Sequence, residues 1–225
     1  MTKTALLAGA TGLVGGILLK RLLDAPAYDR VIAVTRRSLG FSHPKLTEIV
    51  TDFDTLELAL AKSAVHADDA FCALGTTIRK AGSQPAFHRV DFDYVVNFAR
   101  AAKASGATRF LLVSAIGASA GSTIFYSRVK GEAEEAASAL GFEATHIFRP
   151  GLILGDRAER RPAEAAMMAA MPLLNPLLIG PTKIYRGIPA DTIAAAMIAA
   201  AATSTTGRII HTYASMSALT TDREH

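Results

Sequence analysis

Six short, mostly apolar runs punctuate the first two thirds of the chain, at residues 5–8, 31–35, 48–51, 70–74, 110–114 and 145–149. Each has the length of a buried strand and is bounded by turn-forming or polar residues. Between them the apolar positions change to a three- and four-residue spacing. Leu13, Ile17, Leu18 and Leu22 follow the first run in this way, and residues 56–63, 86–105 and 126–140 read as further helices. Strands that are apolar on both faces belong to a parallel sheet covered by helices on each side. The repeated strand–helix alternation therefore predicts an α/β fold on a doubly wound parallel sheet. Right-handed crossovers bring the C-terminal strand ends to one rim, where such sheets bind ligands. Gly9, Arg36, Asp52, Gly75, Ser114 and Pro150 all fall at predicted strand ends.

The pattern changes after Gly155. Residues 156–161 are a charged linker, 162–174 a Met- and Ala-rich helix and 176–181 irregular, while 190–202 return to helical spacing and 208–213 read as a last strand. The expected organisation is a core over residues 1–155, a small helical substrate cap over 156–190, and a return to the core ending in a frayed tail over 191–225. Met167, Met168 and Met171 suit a pliable pocket wall, a core contact or a homodimer contact equally well, and the oligomeric state stays open.

The first turn carries the most chemistry. Gly9-Ala10-Thr11-Gly12-Leu13-Val14-Gly15 stands between a strand and an amphipathic helix, the context of a dinucleotide phosphate site. Gly9 permits a tight turn, Gly12 lets the backbone approach a pyrophosphate, and Gly15 lets the helix lie close to the strand. The helix N-terminus then offers unpaired N–H groups to the anion. Arg36 and Arg37 occupy the region where an NAD site carries an acid for the ribose 2′-hydroxyl, and no acid stands between Arg30 and Glu48. Two guanidiniums suit a 2′-phosphate, so NADP(H) is the expected cofactor; a pair of solvated arginines is the plain alternative.

Tyr126 and Lys130 are one helical turn apart on the same face. An ammonium beside a phenol favours the phenolate, and a phenol so tuned can give a proton to a carbonyl oxygen as hydride reaches the carbon. Ser114, ending the preceding strand, is placed to hydrogen-bond the same oxygen.

Composition narrows the class further. Half the residues are hydrophobic and 20% are charged, enough for a substantial core. The net charge of +4 suits an anionic ligand, but no basic block or aromatic-spaced basic stripe points to nucleic acid. No signal peptide is read at the start, and the Ala-rich run at 193–202 is too short to span a membrane. Cys72 has no partner for a disulfide, which suggests a reducing, cytoplasmic location. The histidines lack metal-ligand spacing, and Cys72 reads as a core residue.

Taken together, the GxxGxxG turn, Ser114, the YxxxK of Tyr126 and Lys130, and Pro150-Gly151 resemble the short-chain dehydrogenase/reductases. Residues 73–77, 89–95 and 148–155 narrow the resemblance to the atypical, Tat-interacting oxidoreductase-like branch, over about residues 3–200. The resemblance implies a Rossmann fold and assigns roles. Gly9, Thr11, Gly12, Leu13, Val14 and Gly15 would hold the pyrophosphate, Arg36 and Arg37 the 2′-phosphate, and Asp52 and Phe53 would flank the adenine. Leu74, Gly75 and Thr76 would pass under the ribose, and Pro150 and Ile153 would line the nicotinamide. Tyr126 would be the acid/base, Lys130 would lower its pKa and bond the nicotinamide ribose, and Ser114 would orient a small-molecule substrate. Two features depart from the common pattern: Leu74-Gly75-Thr76-Thr77 replaces the usual asparagine-rich turn, and Asn97 is not a clear match for the proton-relaying helix asparagine. The expected function is NADPH-dependent hydride transfer to a carbonyl or related group. The alternative is a non-catalytic NADP(H)-binding regulator. Epimerase chemistry with tightly held NAD is disfavoured by Arg36 and Arg37.

Overall fold

A computed structural model of the protein describes residues 2–155 and 184–221. The strands are β1 (Lys3–Ala8), β2 (Tyr28–Thr35), β3 (Leu46–Val50), β4 (Asp69–Cys72), β5 (Arg109–Val113), β6 (Ala144–Phe148), β7 (Ile153–Leu154), β8 (Ile188–Pro189) and β9 (Gly207–His211). Seven of them form one sheet in the order β3-β2-β1-β4-β5-β6-β9, with every neighbouring pair parallel. β7 and β8 form a separate two-stranded parallel pair. The helices are α1 (Leu13–Asp24), α2 (Leu56–Lys62), α3 (Ile78–Ala81), α4 (Gln84–His88), α5 (Tyr94–Ala104), α6 (Phe125–Ser138), α7 (Ala190–Ala201) and α8 (Tyr213–Thr221).

The two-sided apolar strands divide their side chains between two cores. From β1, Ala5 and Leu7 join Leu18 and Leu22 of α1 with Ile193 and Met197 of α7. Leu6 and Ala8 face the other way, toward Leu56 and Leu60 of α2, Phe98 of α5 and Ala133 of α6. A strand side chain alternates faces at every residue, so both layers are needed to hide such a run. The strand order reverses between β1 and β4, and a crevice opens at their C-terminal ends.

Three expectations change. The stretch read as one helix over 86–105 is α4, a π turn at Arg89–Asp93 and α5. The preceding stretch, read as loop, contains α3, whose N-terminus is capped by the Thr77 side chain accepting from the Lys80 N–H at 3.2 Å. Of residues 217–225, read as frayed, 217–221 complete α8, which is seated by the fully buried Met216, and 222–225 lie outside the described residues. The expected cap, with its three methionines, falls on residues 156–183, outside the described residues, and only 184–190 of it are described.

Polar groups inside the sheet are mostly paired. At the end opposite the crevice, buried Asp69 accepts from the Tyr28 hydroxyl at 2.7 Å and from Lys3 Nζ at 3.0 Å. Burial, reinforced by the Asp69 charge, pushes the Tyr28 phenol up. Between β6 and β9, His146 Nδ1 and His211 Nε2 lie 3.0 Å apart, with the His211 ring also stacked on Phe148.

Candidate functional site

The glycine turn lies in the β1–β4 crevice, and side-chain volume dictates its composition. Gly9 has φ of +91°, and a Cβ there would sit 2.5 Å from the Ala73 carbonyl just past β4. A Cβ on Gly15 would sit 2.0 Å from the Gly9 carbonyl oxygen. These two residues have to be glycine for β1, α1 and β4 to meet this closely. The Gly12 N–H closes the turn on the Gly9 carbonyl at 2.9 Å, and Gly12 starts α1 with no side-chain cap and no acid in the first turn. The first-turn N–H groups of α1 therefore face the crevice beside exposed Thr11 and Gly12, a cradle for a pyrophosphate. Val14 and Gly15 are buried, and half-buried Leu13 packs toward Gly155, so these three offer the crevice chiefly backbone.

To one side of this turn, β2 ends at Thr35 and the chain continues through Arg36 and Arg37. Both are exposed and neither has an ion-pair partner among the described residues. The nearest acid along the sheet is Glu48 on β3. Its carboxylate accepts from Thr35 Oγ1 at 3.1 Å, Ser38 Oγ at 3.1 Å and the Leu39 N–H at 2.6 Å. Past β3, exposed Asp52 holds its own turn by accepting the Asp54 N–H at 3.0 Å. Phe53 is buried, 3% exposed, with its ring stacked on Tyr94 at a centroid distance of 5.3 Å. Asn97 is likewise engaged, donating to the Phe53 carbonyl at 3.3 Å.

To the other side, β4 runs into Leu74, exposed Gly75 and half-buried Thr76. Beneath them lies a buried ion pair that sequence reasoning missed: Lys130 Nζ is 2.8 Å from Asp91 Oδ1, with the side chains 8% and 0% exposed. The second Asp91 oxygen accepts the Thr76 N–H at 2.9 Å, and a Cβ on Gly75 would stand 3.4 Å from both charged groups. Burial alone would pull the Lys130 ammonium down, but Asp91, and then Tyr126, outweigh it and hold it above the usual lysine value. Cys72, buried just below, is pushed up to about 12 by burial and is an inert core residue. Tyr126 is half-buried one turn before Lys130, its ring 5.4 Å from that of Phe87.

Ser114 is engaged within the protein. Its hydroxyl donates to Glu134 Oε1 at 2.5 Å, so while that bond stands its proton is not available to a substrate oxygen. Glu134 is fully buried and is gripped by Arg149 at 2.9 and 2.5 Å and by Arg208 at 3.1 Å. Nearby, Pro150 is buried and accepts the Ile116 N–H at 2.9 Å, while half-buried Ile153 pairs with Ile188.

Asp91 and Glu134 did leave a signal. Residues 87, 91, 94 and 98 share one buried helical stripe, as do 130, 134 and 137, and each stripe contains a lone acid. An acid on a buried stripe implies a partner brought by another element.

Comparison with known proteins agrees with this geometry. A family model described as NAD(P)H-binding matches residues 9–167. Protein HTATIP2 of Rattus norvegicus is 41% identical over 165 residues, covering 72% of this chain and 67% of that protein. Protein fmp52, mitochondrial, of Aspergillus clavatus is 44% identical over 167 residues, covering 72% and 71%. Its Aspergillus niger counterpart is 35% identical over 220 residues, covering 93% and 91%. Among solved structures, MoeE5 in complex with UDP-glucose and NAD superposes with a TM-score of 0.68 at 18% identity, covering 92% of this chain and 74% of that one. Uronate dehydrogenase from Agrobacterium tumefaciens gives 0.66 at 16%, covering 93% and 75%. These structures share the fold. The expected cytoplasmic location is overturned: the fmp52 relatives are named as mitochondrial proteins. One buried cysteine lacks an intramolecular partner in any compartment, so it never discriminated between them.

Proposed function

The chain belongs to the NAD(P)H-binding atypical short-chain dehydrogenase/reductases, in the branch of HTATIP2 and fmp52, and from that premise we propose that it is an NADPH-dependent oxidoreductase acting on a carbonyl or related group of a small molecule. The observation that carries the reading is a pair of cationic sites flanking the glycine turn. Arg36 and Arg37 stand past β2 and Lys130 beneath the end of β4, with β1 between those strands. A dinucleotide laid across β1 meets the exposed guanidiniums at one end and the Asp91-paired Lys130 ammonium at the other, and the cradle at Gly9, Gly12 and Gly15 fits its pyrophosphate.

In this reading the α1 N–H groups and Thr11 hold the pyrophosphate, Arg36 and Arg37 grip the 2′-phosphate, and Asp52 and the Phe53 backbone border the adenine. Leu74, Gly75 and Thr76 underlie the ribose, and Pro150 and Ile153 border the nicotinamide. When bound, the nucleotide supplies the hydride. Tyr126 delivers the proton from its hydroxyl to the substrate oxygen, and Lys130 keeps positive charge beside that phenol. Ser114 would orient the substrate oxygen on releasing its hydrogen bond to Glu134.

Two observations favour the alternative of an NADP(H)-binding regulator without turnover: the Lys130 charge is countered by Asp91, and the Ser114 hydroxyl donates to Glu134. A single programme separates the two. Nicotinamide fluorescence titrations with NADPH and NADH come first, in wild type and Arg36→Ala/Arg37→Ala. Removing a charge-assisted contact costs about 1.5–3 kcal/mol, so the double variant should lose NADPH affinity by about tenfold or more and keep its NADH affinity. Equal affinities in wild type would refute the NADPH assignment. A carbonyl screen then follows with Tyr126→Phe as control. Turnover abolished by that change supports the oxidoreductase, and binding with no turnover anywhere in the screen supports the regulator.

A further inference from the structure

Glu48 looks at first like the missing ribose acid. It lies on β3, next to β2 and close to the crevice, yet the structure turns its carboxylate to another use. In the β2–β3 register Glu48 pairs with Ala33, which puts it on the face shared by Ala33 and Thr35. That face is the one covered by α1, where Leu46 and Leu39 pack at the margin of the core. Leu39 thus brings the chain after Arg37 back over the sheet, directly within reach of Glu48.

There the carboxylate takes three hydrogen bonds, from the Thr35 hydroxyl at 3.1 Å, the Ser38 hydroxyl at 3.1 Å and the Leu39 N–H at 2.6 Å. These donors bracket Arg36 and Arg37 on both sides. Of about four acceptor positions on a carboxylate, three are filled, so Glu48 cannot also take both hydroxyls of a ribose diol. The two arginines between the tethered points keep their guanidiniums exposed and without an ion-pair partner among the described residues.

We infer that Glu48 is the positioning residue for nucleotide selectivity: its carboxylate straps residues 35–39 so that Arg36 and Arg37 present a preformed 2′-phosphate site. The strap acts in two ways. It removes loop entropy that nucleotide binding would otherwise have to overcome. It also occupies the Glu48 carboxylate with backbone and hydroxyl donors, so this acid neither recognises a 2′-hydroxyl nor pairs with the arginines meant for phosphate. The inference rests on the NADPH-selective reading above and adds to it a residue that touches no nucleotide.

The test compares Glu48→Ala and Glu48→Gln with wild type and Arg36→Ala/Arg37→Ala. NADPH and NADH titrations give the affinity ratio, and amide hydrogen exchange at Leu39 is read without nucleotide. Glu48→Ala should weaken NADPH about tenfold, the scale of the tethering hydrogen bonds it removes, while leaving NADH affinity as it was. Its Leu39 amide should exchange faster. Glu48→Gln keeps an oxygen to accept from the Leu39 N–H and the Thr35 hydroxyl and offers its amide N–H to the Ser38 hydroxyl oxygen, so both the ratio and Leu39 protection should stay near wild type. A wild-type ratio in Glu48→Ala, or an equal loss of both nucleotides, overturns the strap. Glu48→Gln as defective as Glu48→Ala also overturns it, since charge and not tethering would then be at work. If wild type shows no NADPH preference, or the double arginine variant leaves the ratio unchanged, the NADPH reading itself falls and takes the strap with it. If the arginine variant collapses the ratio and Glu48→Ala does not, only the strap falls.

Discussion

Asp91→Ala removes one carboxylate from beneath the crevice and strands two groups at once. Lys130, 8% exposed, loses its counter-ion at 2.8 Å, and the Thr76 N–H loses its acceptor at 2.9 Å. Breaking one half of a buried ion pair costs about 3–5 kcal/mol. The orphaned amide adds to the same loss without adding in full, because one carboxylate serves both donors. A loss of about 3–5 kcal/mol is a large part of the roughly 5–15 kcal/mol that holds a domain together. Urea denaturation at neutral pH should therefore show a lowered midpoint.

The pH dependence makes the test sharper. In wild type Asp91 raises the Lys130 pKa above its unfolded value, so the folded state binds the extra proton. That contribution is full below the ordinary lysine range and is lost as pH rises through the raised value. In Asp91→Ala burial, the largest single influence, loses its chief opponent and depresses the folded pKa, so the sign reverses. The variant should gain stability between roughly pH 8 and 10, where the Lys130 contribution in wild type gives no gain. Asp91→Ala/Lys130→Met should recover most of the lost stability, since neither charge is then left unpaired. A loss below about 1 kcal/mol together with an unchanged alkaline slope would refute the claim that this pair is energetically coupled.

Two further predictions follow from the same geometry. Gly15→Ala places a methyl 2.0 Å from the Gly9 carbonyl oxygen and must push α1 away from the turn. A stability loss of at least about 1–3 kcal/mol and abolished NADPH fluorescence enhancement are expected, and a normal melting temperature with normal binding would contradict this packing. In acid, His146 is held down to about 4 by burial, with help from His211 and Arg109, and burial lowers His211 as well. Histidines that stay neutral when folded lose their contribution as pH falls from about 6.5 toward 4, by up to about 3 kcal/mol for His146. His146→Phe/His211→Phe should flatten the urea midpoint over that range, and an identical slope in wild type and variant would count against the pair.

The outline of the fold was legible because its signals are local. Two-sided apolar runs alternating with helical spacing allow little besides a parallel sheet covered on both faces. The glycines at 9, 12 and 15 announced a close approach of backbone to backbone, and the contacts at Gly9 and Gly15 are what that approach looks like. Residues 86–105 misled because a π turn adds one residue to a helix without breaking its apolar stripe, so periodicity reads through it.

Sequence alone determined the strands of the parallel sheet and its longer helices, the close-packed glycine turn after β1, and that two arginines stand where a ribose-binding acid is usual. Those properties depend on residue type and short-range spacing. Tertiary structure decided the fate of every charge at the site. Asp91 meets Lys130, Glu134 accepts from the Ser114 hydroxyl, and Glu48 straps the arginine loop, although these partners lie 39, 20 and 9–13 residues apart. Such pairings arise only once crossovers have brought separate elements together, and a buried charge is tolerated only when its partner arrives. The side chains that tune the site were therefore set by the packing of the whole sheet.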